Sequence, residues 1–205
     1  MIDETSEQGR IMAAAMRLAA ERAWQEVTLV DIAEAAGLRL VDLKAHVASK
    51  GEILAAFARA IDDDMLRRMP ARTPGQAPRD ALFEVVMSRF DALAPYRRGL
   101  ASIARSGALG SALVRSLLTT QHWMLQGAGV STDGLGGCVR VMGLASVYAS
   151  VFQTWLDDDD PGLARTMAAL DRRLRRGEST AKTMDDVLGT VRRVAGMVTG
   201  FAASR

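Results

Sequence analysis

Cysteine is nearly absent: Cys138 is the one cysteine in a chain of 205 residues. A lone thiol closes no internal disulfide, which excludes a disulfide-stapled scaffold and makes a reducing compartment the natural setting. Histidine is almost as scarce, with His46 and His122 far apart and at no metal-ligand spacing from Cys138. A phosphate-binding glycine loop and a nucleophile elbow are also missing. These gaps argue against enzyme chemistry and imply no cofactor. Aromatic residues make up 5% of the chain, and only five prolines interrupt it. β-Branched residues are few, while alanine, leucine, methionine and arginine dominate, which predicts an all-α protein. The sequence shows no charged-then-apolar leader, and we expect no apolar run long enough to cross a bilayer. The expectation is a soluble, cytoplasmic protein.

Charge is balanced overall and uneven locally. The chain carries a formal net charge of +2. Residues 1–69 hold nine Lys/Arg against twelve Asp/Glu, a net of −3, and residues 70–205 hold seventeen against twelve, a net of +5. The first third is therefore the acidic third. Phosphate neutralisation dominates nucleic-acid affinity, so any such contact there rests on a few placed cations.

The most informative stretch is TLVDIAEAAGLRLVDLKAHVASK, Thr28 to Lys50. Thr28 with Asp31 forms a capping box. Leu29, Ile32, Ala33 and Ala36 then recur at helical spacing. Gly37 falls where a backbone needing positive φ ends that helix. A second short helix is predicted over 38–47, with Leu40, Leu43 and Val47 on one side. Ser49 with Glu52 opens a third helix that runs toward Arg68. Two short helices joined by a tight turn hold one of them at a fixed angle, the geometry that enters a DNA major groove.

Around this stretch the pattern is helical throughout. Glu7 to Arg22 is amphipathic, with Ile11, Ala15, Leu18 and Ala19 on one face, and Trp24 follows it. PARTPGQAP, Pro70 to Pro78, is the clearest punctuation, giving an N-terminal head over 1–69 and a C-terminal domain over 70–205. Helices are predicted over 80–94, 96–104, 111–126 and 135–156. The last of these is apolar nearly all round and is expected to be buried on every side. DDDDP, Asp157 to Pro161, stops it and caps the next helix, whose later turns hold Arg172, Arg173, Arg175 and Arg176. Capping explains the four aspartates better than cation binding does. A last helix is predicted over Ser179 to Ala202, with Arg192 and Arg193 beside an apolar face. Packing against its own domain or a second subunit is the stronger reading of that helix, and peripheral membrane contact the weaker.

The first 60 residues resemble the tetracycline-repressor (TetR) family of transcriptional regulators, through RIMAAAMRLAAERAW, TLVDIAEAAGL and HVASKGEILAAF. The resemblance implies a homodimer that binds double-stranded DNA through its helix-turn-helix heads and encloses a small-molecule pocket in its C-terminal domain. VFQTWLDDDDPGLARTMAALDRRLRR resembles the paired helices through which such regulators dimerise. The chain departs from the family in its reading helix: Arg39 replaces a small residue, Lys44 a tyrosine, Ala45 a histidine and Val47 an aromatic residue. Residues 79–177 are also similar to the lipid-binding accessory protein of ubiquinone biosynthesis, which implies a lipid or isoprenoid ligand and a head that binds no DNA.

Candidate contacts follow. Toward DNA, Arg39 and Lys44 read bases or phosphates, and His46 adds a hydrogen bond. Lys50 pairs a phosphate, and Thr28 offers its amide or hydroxyl. Leu40, Asp42 and Ala45 share the reading helix; Ala45, with Val30, suits thymine methyls. Toward a hydrophobic ligand, Phe83, Met87, Phe90, Trp123, Met124, Met142, Tyr148 and Phe152 are the candidate lining, with core packing as the plainer role of each. Few polar residues lie on those helices, so the expected ligand is greasy. Cys138 is expected to be buried and inert, and His122 to sit at the surface or a rim.

Overall fold

The computed structural model describes residues 2–69, 73–107 and 110–177. Among them every regular element is helical: α1 (Glu7–Glu21), α2 (Leu29–Ala35), α3 (Leu40–His46), α4 (Lys50–Arg68), α5 (Pro78–Leu93), a 3₁₀ turn (Ala94–Tyr96), α6 (Arg97–Arg105), α7 (Ser111–Gly127) and α8 (Gly134–Leu156). A ninth helix, α9, occupies 164–177. The helix predicted over Ser179 to Ala202 lies outside the described residues.

Local chemistry explains most of the boundaries. The Thr28 hydroxyl accepts from the Asp31 amide at 3.1 Å, and the Asp31 carboxylate accepts the Thr28 amide at 2.8 Å. This reciprocal box satisfies two donors that an α-helix leaves open. Gly37 has φ +68°, as the turn after α2 requires. Ser49 caps α4 through the Glu52 amide at 3.2 Å. α3 is shorter than its apolar spacing predicts. Its N-terminus is fixed at Arg39, whose amide meets Asp42, and Val47 leaves the helix in extended backbone.

α4 ties the two ends of the molecule together. It packs on α1 at one side and on α5 and α7 at the other, while α1 also packs on α2 and α6. Gly99 lets α6 approach closely, since a Cβ there would lie 2.7 Å from the Met16 carbonyl oxygen. One apolar cluster runs from Trp24, Ile32, Leu43 and Ile53 to Phe90, Met124, Val151, Trp155 and Leu170. Each fully buried Ile, Leu, Phe or Met there contributes about 1.5–3 kcal/mol over an exposed one.

Two of the four aspartates, Asp158 and Asp160, act as a cap. Asp158 accepts the Thr166 amide at 2.8 Å and its hydroxyl at 2.7 Å, while Asp160 accepts the amides of Gly162 and Ala164 at 3.0 and 3.1 Å. Those hydrogen bonds hold the Asp158 carboxyl below the usual carboxylate range. No group of three His, Cys, Asp or Glu is placed to hold a metal ion among the described residues.

α8 overturns three expectations. Its 23 residues are long and apolar enough, by length and composition, to cross a membrane. It is also not buried on every side. One face packs on α7 and α6. The other presents Leu135 at 84% exposure and Met142 at 60%. Cys138 lies in this same outward stretch and is exposed rather than buried. The reason is geometric: among the described residues nothing packs on that face.

Candidate nucleic-acid interface and C-terminal core

α1, α2 and α3 form a compact trihelical unit that presents α3. Arginines of α1 close the end of α2: Arg10 donates to the Ala36 carbonyl at 3.2 Å and Arg17 to that of Ala35 at 3.1 Å. Cations at a helix C-terminus complement its dipole. Leu43 and Val47 seat α3 on the core. Its outward residues are Arg39, Leu40, Val41, Lys44 and Ala45. Val41 is 61% exposed and Leu40 49%. This is an apolar surface edged with cations.

The cations differ sharply in freedom. Arg39 grips Asp42 with two parallel hydrogen bonds, from Nε and Nη2, each 2.8 Å. That fork holds the Asp42 carboxyl below its ordinary range and the Arg39 guanidinium above. His46 Nε2 lies 2.8 Å from Glu7, which ties the end of α3 to the start of α1. Lys44 is exposed on the same face. Of the charged groups expected to read DNA, it is the one left without a described partner.

Two further expected contacts are occupied. The amide and hydroxyl of Thr28 both donate to Asp31 Oδ2, at 2.8 and 2.7 Å. Lys50 Nζ donates to the carbonyls of Trp24 and Val27 at 2.8 and 2.7 Å and lies 4.7 Å from the Trp24 ring centroid. Partial burial lowers its pKa. An ammonium has three donors, so one remains. The sequence places Lys50 at a phosphate; the structure makes it the clasp that closes the α1–α2 connection onto α4. This connection also meets α6, where the Trp24 amide donates to Ser102 Oγ at 3.1 Å.

In the C-terminal helices the expected ligand lining separates into three sets. Phe90, Met124 and Tyr148 are buried, whereas Phe83, Met87 and Phe152 are half-buried. Phe83 borders an open groove of about 420 Å³ beside Met167 and Leu174 of α9. Trp123, at 45% exposure, and Met142 face outward, because their helical positions lie opposite the faces that α7 and α8 turn to the core. His122 stacks edge-on against Trp123, with centroids 5.4 Å apart, and is half-buried as a rim residue. The interior holds an aromatic ladder: Phe90 stacks on Tyr148 and on Trp155, each at 5.3 Å, and Phe152 joins Tyr148 at 6.0 Å and Trp155 at 5.5 Å.

Sequence reasoning missed the polar centre beside this ladder. Asp62 of α4, Arg89 of α5, and Thr120 and Gln121 of α7 are all buried. Arg89 Nη2 lies 3.3 Å from Asp62 Oδ1, and Thr120 donates to Asp62 Oδ2 at 2.7 Å. Burial pushes the Asp62 carboxyl up, against the opposing pull of Arg89 and Thr120. A signal was present, since Arg89 continues the buried stripe of Val85 and Val86 and directly precedes Phe90. A charged residue at an apolar position is the informative exception.

No family model matches the chain, and no curated protein does. Solved structures do. A TetR transcriptional regulator from Nitrosomonas europaea ATCC 19718 superposes with a TM-score of 0.65 at 22% identity, over 83% of this chain and 97% of that one. A TetR transcriptional regulator from Rhodococcus sp. RHA1 gives 0.64 at 17% identity, over 84% and 96%. A TetR-family regulator from Streptomyces coelicolor gives 0.60 at 19%, over 93% and 88%. The fold is that of helix-turn-helix regulators. More particularly, it is the TetR fold, all-α with the trihelical unit at its N-terminus.

Proposed function

We propose that this chain is a ligand-responsive, DNA-binding transcriptional regulator of TetR type that acts as a homodimer in the cytoplasm. Residues 1–69 serve as the reading head, and residues 70–205 as the effector-binding and dimerisation domain. The observation that carries the reading is α3, seated by Leu43 and Val47 and presenting Arg39, Leu40, Val41, Lys44 and Ala45 outward. Lys44 supplies a cation for bases or phosphate, and Leu40, Val41 and Ala45 supply apolar contact to thymine methyls. On binding, Arg39 exchanges its bond to Asp42 for one to DNA, so it acts at a cost that Lys44 does not meet.

Dimerisation places the outward stripe of α8 against its copy in a second subunit. The stripe supports this because Leu135, Cys138, Val139 and Met142 form an uncharged surface on an element otherwise built into the core. A hydrophobic effector occupies the region of the aromatic ladder. Two heads then meet successive major grooves about 34 Å apart, or a multiple of that.

The test is DNA affinity of the intact protein against that of the Arg39→Ala/Lys44→Ala variant over a salt series. We expect the variant to bind its preferred duplex at least about tenfold more weakly. Loss of a phosphate contact lowers the salt slope by about one. Equal affinity and equal slope remove these residues from the interface. A wild-type head without duplex selectivity at physiological salt turns the reading toward the lipid-binding accessory class.

A further inference from the structure

The buried polar centre has more hydrogen-bonding capacity than the described residues fill. Among the described residues, Arg89 Nε and Nη1, the Tyr148 hydroxyl, Gln121 Oε1 and Asp62 Oδ1 have no hydrogen-bond partner, and neither does Trp155 Nε1 farther along the ladder. Arg89 of α5 lies over the Tyr148 ring of α8, 5.6 Å from its centroid, and α7, which carries Gln121, packs on both helices. Buried polar atoms in native proteins are nearly all paired, so several orphans in one region point to an absent partner. One bridging water reaches two to four groups. Tyr148 and Trp155 stand seven residues apart on α8, about 10 Å along its axis, which is beyond one water.

We propose that this centre is a binding site for a neutral, oxygen-bearing aromatic hydrophobe, whose carbonyl-type oxygen accepts from Arg89 and Tyr148 while its ring lies along the Phe90–Tyr148–Phe152 ladder. The inference rests on the effector reading of the C-terminal helices and replaces its purely greasy ligand with one bearing a polar end. Neutrality follows from charge. Arg89 already faces Asp62 across 3.3 Å, so the centre is balanced and a carboxylate would add an unpaired charge. An acceptor is called for because three of the five unpaired atoms at the centre, on Arg89 and Tyr148, are donors; burial keeps the Tyr148 hydroxyl protonated by raising its pKa. A site built to hydrogen-bond an oxygen rejects an analogue that lacks it, because its donors are then left unpaired.

The experiment is calorimetric titration of the full chain, without DNA, with three probes of one shape: 2-acetylnaphthalene, 2-ethylnaphthalene and 2-naphthoate. We expect the ketone to bind at least about tenfold more tightly than either the hydrocarbon or the carboxylate. Tyr148→Phe, which keeps the ladder, should reduce the ketone preference several-fold without changing hydrocarbon binding. Arg89→Met should abolish that preference, and the Tyr148 variant decides the matter if Arg89→Met does not fold. Equal binding of ketone and hydrocarbon, tightest binding of the carboxylate, or an unchanged preference in Tyr148→Phe overturns the proposal. The ketone is then added to the protein–DNA complex. Tight ketone binding that leaves DNA affinity unchanged refutes the effector reading alone, while absence of ketone binding refutes this site whatever the DNA result.

Discussion

Among the arginine–aspartate ion pairs of this molecule, Arg39–Asp42 and Arg89–Asp62 are opposites. Arg39–Asp42 lies at the start of α3 with Arg39 80% exposed, a bidentate fork in water. Arg89–Asp62 lies between α4 and α5 with side chains 3% and 6% exposed. Exposure reverses the electrostatic outcome. Asp42 is pulled below the ordinary carboxylate pKa by its hydrogen bonds to Arg39, whereas Asp62 is pushed above it by burial, which outweighs Arg89. The outer pair stabilises little and exchanges readily, as the proposed contact with DNA requires. The inner pair cannot exchange with water, and removal of one member strands the other.

The largest effect that could break this comparison is on stability. Arg89→Ala should destabilise the fold by about 3–5 kcal/mol, read from the denaturant midpoint, because it leaves Asp62 buried and uncompensated. Replacing both partners, Arg89→Met with Asp62→Leu, should be neutral or stabilising by about 1–4 kcal/mol. Arg39→Ala should leave the midpoint unchanged. If the Arg39 and Arg89 variants unfold alike, the contrast is lost. A smaller effect is expected at the cap of α2, where Thr28→Ala should cost about 1 kcal/mol. Its readout is thermal unfolding, and no change would mean that α2 is held by its packing alone.

The smallest effect is on pH dependence, and its sign separates the two aspartates. Asp62 has a raised folded pKa, so its contribution is fully present below the ordinary value of 3.8 and is lost as pH rises through the folded value. Asp42 has a lowered one, so its contribution is present above 3.8 and is lost as pH falls through the folded value. Asp62→Asn should therefore remove a decline in stability with rising pH, and Asp42→Asn a decline with falling pH. Stability profiles that shift in the same direction would contradict the assignment.

What the sequence disclosed followed the range of the interaction. The caps at Thr28 and Ser49 and the turn at Gly37 depend on residues three or so apart, and they fell where the spacing placed them. The aspartate run also acts as a cap, through Asp160 over two to four residues and through Asp158 over eight. The polar centre was hidden because its partners are distant: Asp62 and Thr120 are separated by 58 residues, and Arg89 and Thr120 by 31. Each looks like a solvated residue until the helices stack. α8 misled for a different reason. A helix apolar all round carries no periodic signal to say which face meets its own chain, so the sequence puts Cys138 and Met142 inside. The engagement of Lys50 by Trp24 and Val27 was equally invisible, since backbone carbonyls leave no mark in a sequence.

Selection of duplexes from a random library by the intact protein tests the central claim most directly. If α3 is presented to DNA by a symmetric pair of heads, the recovered sequences should share two inverted half-sites centred about 10 base pairs apart or a multiple of it, and Lys44→Ala should weaken their retention. Recovery of no shared sequence, with retention that vanishes as salt is raised and is the same with and without Lys44, would contradict it.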